Sequence, residues 1–474
     1  MWHKDKRTGV QSRDGLTRAS RRFFYCVSVG LLLMDGAVST LQAADRLEWR
    51  NNQDRVSADI RSSQLITVLE KIASATGWRI YLEPETQHTV SAKFSNLPPG
   101  EALHLLLGDV NFALIPQTNA TPRLFVFRTT AQKATRLIAA PDKAKEAKVI
   151  PGELIVRLKP GAKIDDLARQ LGAKVTGRID SLNAYRLKFD DADAANAARE
   201  SLTSNSDVAS VDSNYSIDAP PSPRALQSAP VPPPSLQLKA PPDNGRIIVG
   251  LVDTAVQPLG YGLDSFLLKQ ISVAGQAELD PNSPSHGTSM AETMLRAMQQ
   301  LGQGSSSVQI LPIDVYGPNS STTTFDVADG ISQAFNNGAK LINLSLGSPS
   351  DSPFLHDVIQ EVSKRNVLLF GAAGNDGSTE TFYPAAYQEV KAVTAVDQGQ
   401  LASYANRGSF VSLAAPGTSI VYYNGQPWYV TGTSSSTALV TGATAEYLDI
   451  SHKDPTQTGT FLNRNFGIRS QPQK

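Results

Sequence analysis

Three serines run together in GTSSSTALVTG, residues 432–442, after a glycine and a threonine and before a small-residue, apolar, helix-like segment. A serine hydroxyl is a weak nucleophile at neutral pH. It needs an imidazole to take its proton, a carboxylate to hold that imidazole in one tautomer, and donors to meet the oxyanion that forms. Of the six histidines, His3 lies in a basic leader, His88 and His104 in the first third and His452 in the tail. His356 sits in a helical pattern among polar neighbours and reads as solvated. His286 alone opens a helix, in SHGTSMAE, behind a Ser-Pro-Ser loop. Asp253 closes the apolar run IIVGLVD, and Asn375 closes NVLLFGAAGN. Strand ends are where ligand sites gather in α/β sheets. Each group alone has a plainer reading: a helix cap for a serine, a surface or core histidine, a turn for Asn-Asp-Gly. Together they supply an acid, an imidazole, an amide and a hydroxyl, all at strand ends or helix starts.

Those groups require a scaffold that brings strand ends together. Residues 244–468 alternate continuous apolar runs (RIIVGLVD, AKLINLSLG, NVLLFGAAGN), of the kind buried in parallel sheets, with helical patterns. The fold class expected is therefore α/β, a parallel-sheet domain. Two small α+β domains precede it. Residues 45–130 alternate strand patterns with two helices, the first presenting Leu65, Leu69, Ile72 and Ala73 on one face and stopping at Gly77. An Ala/Lys-rich stretch, 131–147, reads as a linker. Residues 148–218 follow a strand–helix–strand–strand–helix–strand order, the pattern of a ferredoxin-like sandwich. The proline-rich stretch 219–243 reads as an exposed tether, easily cut, and 469–474 as a tail.

Lys+Arg and Asp+Glu are both 44, so no basic excess points to nucleic acid. The balance is uneven: 244–450 carries 8 basic against 17 acidic residues, a net of −9. The single cysteine, Cys26, excludes an intrachain disulfide. It lies in a leader, 1–44, where Arg21 and Arg22 precede a short apolar run interrupted by Asp35. This reads as an export signal, and SRRFF is similar to the twin-arginine pattern. The expected destination is the periplasm or the medium.

VDTAV, HGTSMA, INLSLG, AAGNDG and GTSSSTALVTG, in this order, resemble the subtilisin family of serine proteases. The resemblance covers roughly 244–468. It implies a Ser-His-Asp triad of Ser434, the serine directly after Gly-Thr, with His286 and Asp253, and it implies Asn375 as oxyanion donor. It further implies that Ser345, Leu346 and Gly347 pair with substrate backbone, and that Ala373 and Gly374, with their neighbours, wall the specificity pocket. Ala255 stands where the family usually has glycine, and Ala438 where proline is common. Residues 148–218 resemble the family's prosegment, so a zymogen is expected, cut within about 218–245. Residues 45–130 resemble the short N-terminal module of secretins and TonB-dependent receptors, which implies a periplasmic or outer-membrane partner. The expected partners are otherwise protein or peptide substrates and the chain's own prosegment. No cofactor is expected, and no calcium loop is readable, so the metal question stays open. The alternative function is a periplasmic docking or signalling protein whose protease domain is regulatory or inactive.

Overall fold

The computed structural model describes residues 46–468 except 51–54, 85, 87, 117–121, 139–146, 227–237, 240–246 and 303. The export signal and the tail lie outside the described residues.

The last domain is built on a sheet in which strands Ile271–Ser272, Val308–Asp314, Ile247–Asp253, Leu341–Leu344, Leu368–Ala372 and Val390–Asp397 lie side by side in that order, all parallel. The strands read as unbroken apolar runs because both faces are covered. Val249, Leu251, Leu341 and Phe370 belong to one buried cluster, Val252, Ile342, Leu344 and Leu369 to the other. Helices His286–Leu301 and Thr433–Ser451 cover the first face. Helices Thr324–Asn336 and Pro353–Ser363 cover the second. Among the described residues, no helix is long and apolar enough to cross a membrane.

The region before it is an antiparallel sheet with the order Val208–Asp218, Val149–Leu158, Ala184–Lys188, Lys174–Ile179, backed by helices Ile164–Leu171 and Ala192–Thr203. This is the ferredoxin-like order that the spacing of elements suggests. Asp191 caps the second helix by accepting from the Ala194 amide. Much of the sheet's outer face is covered by the α/β domain. Ile155, Ile179, Ala184 and Ile217 share one core with Phe325 and Phe354 of the α/β domain. Gly177 is required there: a Cβ would sit 2.6 Å from the Phe325 ring. Arg186 lies over the same ring and reaches Asp326 at 3.0 Å. Burying one such phenylalanine is worth about 2–3 kcal/mol, so this interface is a hydrophobic joint trimmed with charge.

The first small domain holds two sheets, one of Arg46–Arg50, Arg55–Gln64 and Thr89–Leu97, the other ordered Asn111–Ile115, Arg123–Phe127, Arg79–Leu82, Arg136–Ile138. Helix Leu65–Thr76 buries Leu65, Leu69, Ile72 and Ala73 and ends at Gly77 in the left-handed region, as its pattern indicates. The stretch read as a linker is in part structure: Arg136–Ile138 completes the second sheet by pairing with Arg79–Leu82. Nor is the proline-rich stretch wholly a tether, because Arg224–Ala225 forms a strand against Gln426–Thr431. His356, expected in solvent, stacks on Tyr387 with ring centroids 4.1 Å apart and bonds Glu389 at 3.0 Å. Its polar sequence neighbours carry no trace of those partners, which come from more than thirty residues away.

Candidate active site

Asp253 is the last residue of the central strand and is fully buried. Both its oxygens face His286: Nδ1 lies 2.8 Å from Oδ1 and 3.0 Å from Oδ2. Oδ1 also accepts the Thr254 amide at 2.7 Å. The Thr254 hydroxyl in turn accepts from the Gly287 amide at 2.8 Å, locking the strand end to the helix start. That joint tolerates only glycine at 287, where a Cβ would stand 2.1 Å from the Thr254 carbonyl. Ser285 caps the His286 helix by accepting from the Thr288 amide, and its own hydroxyl donates to the carbonyl of Ala255 at 2.6 Å. Alanine in place of the family's usual glycine thus leaves the Asp253 turn intact. A carboxylate on Nδ1 sets the imidazole tautomer, leaving Nε2 as the proton acceptor.

Ser434 is the second residue of its helix, after Gly432 as the cap residue. Ser435 and Ser436 point away: Ser435 donates to the Val430 carbonyl and Ser436 to the Ala415 carbonyl. In this structure the Ser434 hydroxyl donates to the Ser345 carbonyl at 3.1 Å rather than to His286. Catalytic hydrogen bonds are often loose before substrate arrives.

Asn375 follows the strand Leu368–Ala372. Its Oδ1 accepts from the Thr433 amide at 2.8 Å and from the Thr433 hydroxyl at 3.1 Å. The Thr433 hydroxyl also accepts from the Gly374 amide at 3.1 Å. With the amide oxygen so committed, the NH2 end is the one left to donate, beside the start of the Ser434 helix. Backbone N–H groups there favour negative charge.

A cavity of about 290 Å³ opens at this point, lined by Ser434, Thr433, Asn375, Gly374, Ala372, Ser345, Leu346, Gly347 and Phe382. Ser345, Leu346, Gly347 and Gly374 thus line this cavity. Ala373 does not: it is fully buried, and Ala372 takes the place on the wall. The Ser345 side chain also turns inward, donating to the Ser434 carbonyl at 3.2 Å. Residues 345–347 lie beyond the strand Leu341–Leu344 and are not themselves strand. Phe382 escaped the sequence reading. Its ring fills the space against Gly347 and Gly374, where Cβ atoms would come within 2.5 and 3.1 Å of it; the two glycines were the available signal. Missed as well were Lys148, Ser216, Asp218, Ala219, Pro220 and Pro221, which roof the cavity. No local pattern in 216–221 announces a contact with residues more than a hundred positions away. Among the described residues, no group of three or more His, Cys, Asp or Glu side chains could hold a metal ion.

The sequence model of the subtilase family matches residues 244–459, and that of the fervidolysin N-terminal prodomain matches 137–214. A thermostable alkaline protease of Halalkalibacterium halodurans is 36% identical over 186 residues, 37% of this chain and 52% of that protein. Subtilisin Savinase of Lederbergia lenta is 34% identical over 186 residues, 37% of this chain and 69% of that protein. The chain spans about half the length of the alkaline protease and of a thermophilic serine proteinase from Bacillus, 52% and 51%. Among solved structures, fervidolysin from Fervidobacterium pennivorans superposes with a TM-score of 0.54 at 20% identity, covering 68% of this chain and 58% of that one. This likeness is one of fold.

Proposed function

We propose that this chain, which belongs to the subtilase family of serine proteases, is an exported serine endopeptidase made as a zymogen. The observation that carries the reading is the pairing of His286 Nδ1 with both oxygens of buried Asp253 at the head of the helix that packs against the Ser434 helix. His286 Nε2 takes the Ser434 proton as Oγ attacks the peptide carbonyl, then returns it to the leaving amine. Asp253 holds the ring and stabilises the imidazolium. The Asn375 NH2 and the Ser434 amide meet the oxyanion. Residues 345–347 and 372–374 hold the residue before the cut. A fluorophosphonate probe tests this: it should label the activated wild-type protein and not Ser434→Ala, and casein hydrolysis should vanish with the label. Retained activity in Ser434→Ala would refute it.

Residues 148–218 act as prosegment. In support, 216–218 pair antiparallel with Ser321–Thr323 at the lip of the cavity, and 218–221 roof it. The chain leaves the cytoplasm by its leader, 1–44. The module 45–130 docks a partner in the periplasm or outer membrane. Its Glu70 contacts Arg407, next to Asn406, whose side chain accepts from the Asp376 and Ser378 amides. Loss of the leader in exported protein, read by N-terminal sequencing, and capture of a partner from an envelope extract by the full chain but not by one lacking 45–130 test these two points.

A further inference from the structure

The chain does not stop at the roof of the cavity. Ala219 donates its amide to the Ser320 carbonyl at 2.9 Å. Residues 219–221 pass the mouth near Ser434. Arg224 and Ala225 then pair with Tyr429 and Trp428, and the Leu226 amide donates to the Pro427 carbonyl at 3.1 Å. The strand they join, Gln426–Thr431, runs directly into Gly432 and Ser434. Its other edge is taken by Thr418–Tyr423, so among the described residues only 224–226 occupy this edge. One segment thus pairs with strand edges on both sides of the nucleophile.

The pairing beyond the cleft is made by backbone. Arg224 and Ala225 are both exposed, and any extended peptide can offer the same N–H and C=O groups. Pro427 brings a carbonyl and no N–H. This edge therefore accepts from a peptide amide at that position and cannot return the bond, which limits indiscriminate strand addition.

We propose that the free edge of Gln426–Thr431 is a substrate-binding strand for the leaving side of an extended polypeptide, reached about four to six residues past the cut, by the spacing of 224–226 from 219–221. In the zymogen the chain's own residues 224–226 occupy it. This rests on the protease reading above.

The test uses full-length protein incubated until its activity is constant, with quenched fluorogenic peptides identical before the cut. Extending the leaving side from two to seven residues should raise kcat/KM about tenfold, the worth of one or two net hydrogen bonds. An N-methyl scan along that side should abolish the gain at alternate positions only, because successive amides of a strand point to opposite sides. Tyr429→Pro, which removes the edge's donor opposite Arg224, should lower cleavage of the long peptide and leave the short one unchanged. A gain absent beyond the second residue, or an N-methyl scan without alternation in the wild type, overturns the proposal even if Tyr429→Pro fails to fold. If no peptide, short or long, is cut in a Ser434-dependent way, the protease reading itself falls and this proposal with it.

Discussion

Gly442 lies against Met294 so closely that a Cβ on the glycine would come within 2.5 Å of the methionine carbonyl. Each residue is eight positions past a residue of the proposed triad, Ser434 in one helix and His286 in the other. A second contact joins Gly302, just past the end of the His286 helix, to Glu446, further along the Ser434 helix. The two helices therefore run the same way, and their first turns come to one end of the sheet. Gly442→Ala should push the helices apart by the width of a methyl group. We expect about 1–3 kcal/mol lost from stability and fluorophosphonate labelling slowed at least tenfold, since misplacement by an ångström can cost a hundredfold. Thermal melting and labelling kinetics on one preparation check both.

Asn375 is tied through its oxygen to Thr433, so its loss should fall on the transition state. Asn375→Ala should reduce kcat by a factor on the order of 10²–10³, the range known from removing such a donor in subtilisin, with KM little changed. Steady-state kinetics decide. An equal rise in KM would place Asn375 in ground-state binding instead.

Pro220 and Pro221 roof the cavity beside Ser434. A bond preceding proline has no N–H to pair with an edge strand, and proline restricts the residue before it. The double variant Pro220→Ala, Pro221→Ala should cut itself between 219 and 222 at least tenfold faster than wild type, measured by intact mass over time, with Ser434→Ala as the uncut control.

Glu446 is fully buried in the Ser434 helix. Burial raises its carboxyl from 4.5 to about 7, against a hydrogen bond from Ser306 and with the charge of Asp449 adding to the rise. The neutral acid is thus favoured in the fold. The stability it brings is full below about 4.5 and is lost as pH climbs through about 7. Denaturant titrations from pH 5 to 8 should show stability falling by up to roughly 3 kcal/mol from this group, and Glu446→Gln should flatten that fall.

Arg186 joins Asp326 across the prosegment interface, with both side chains largely buried. Arg186→Ala leaves Asp326 without its cation and should weaken inhibition by added 148–218 peptide at least about thirtyfold, the ~2 kcal/mol or more lost on removing one partner of a desolvated pair. Inhibition constants for the two peptides settle the point.

The residue types and their order were legible without coordinates because each chemical group sits in a short local pattern. Asp253 closes an apolar strand, His286 and Ser434 follow loop and glycine signals that start helices, and Gly77 stops a helix where only a residue free to take positive φ fits. The ferredoxin-like count over 148–218 was legible for the same reason: hydrophobic period and turn residues are properties of neighbours in sequence. What stayed hidden depends on partners brought from far along the chain. His356 found Tyr387 and Glu389, Arg136–Ile138 found a sheet edge, Ala373 turned inward while Ala372 faced the cavity, and 216–226 found both lips of the cleft. Backbone pairing is blind to side chains, and packing is decided by which surfaces collapse together. Composition and spacing therefore picked out the candidate groups, while only the tertiary structure determined which way each one faces and what lies across it.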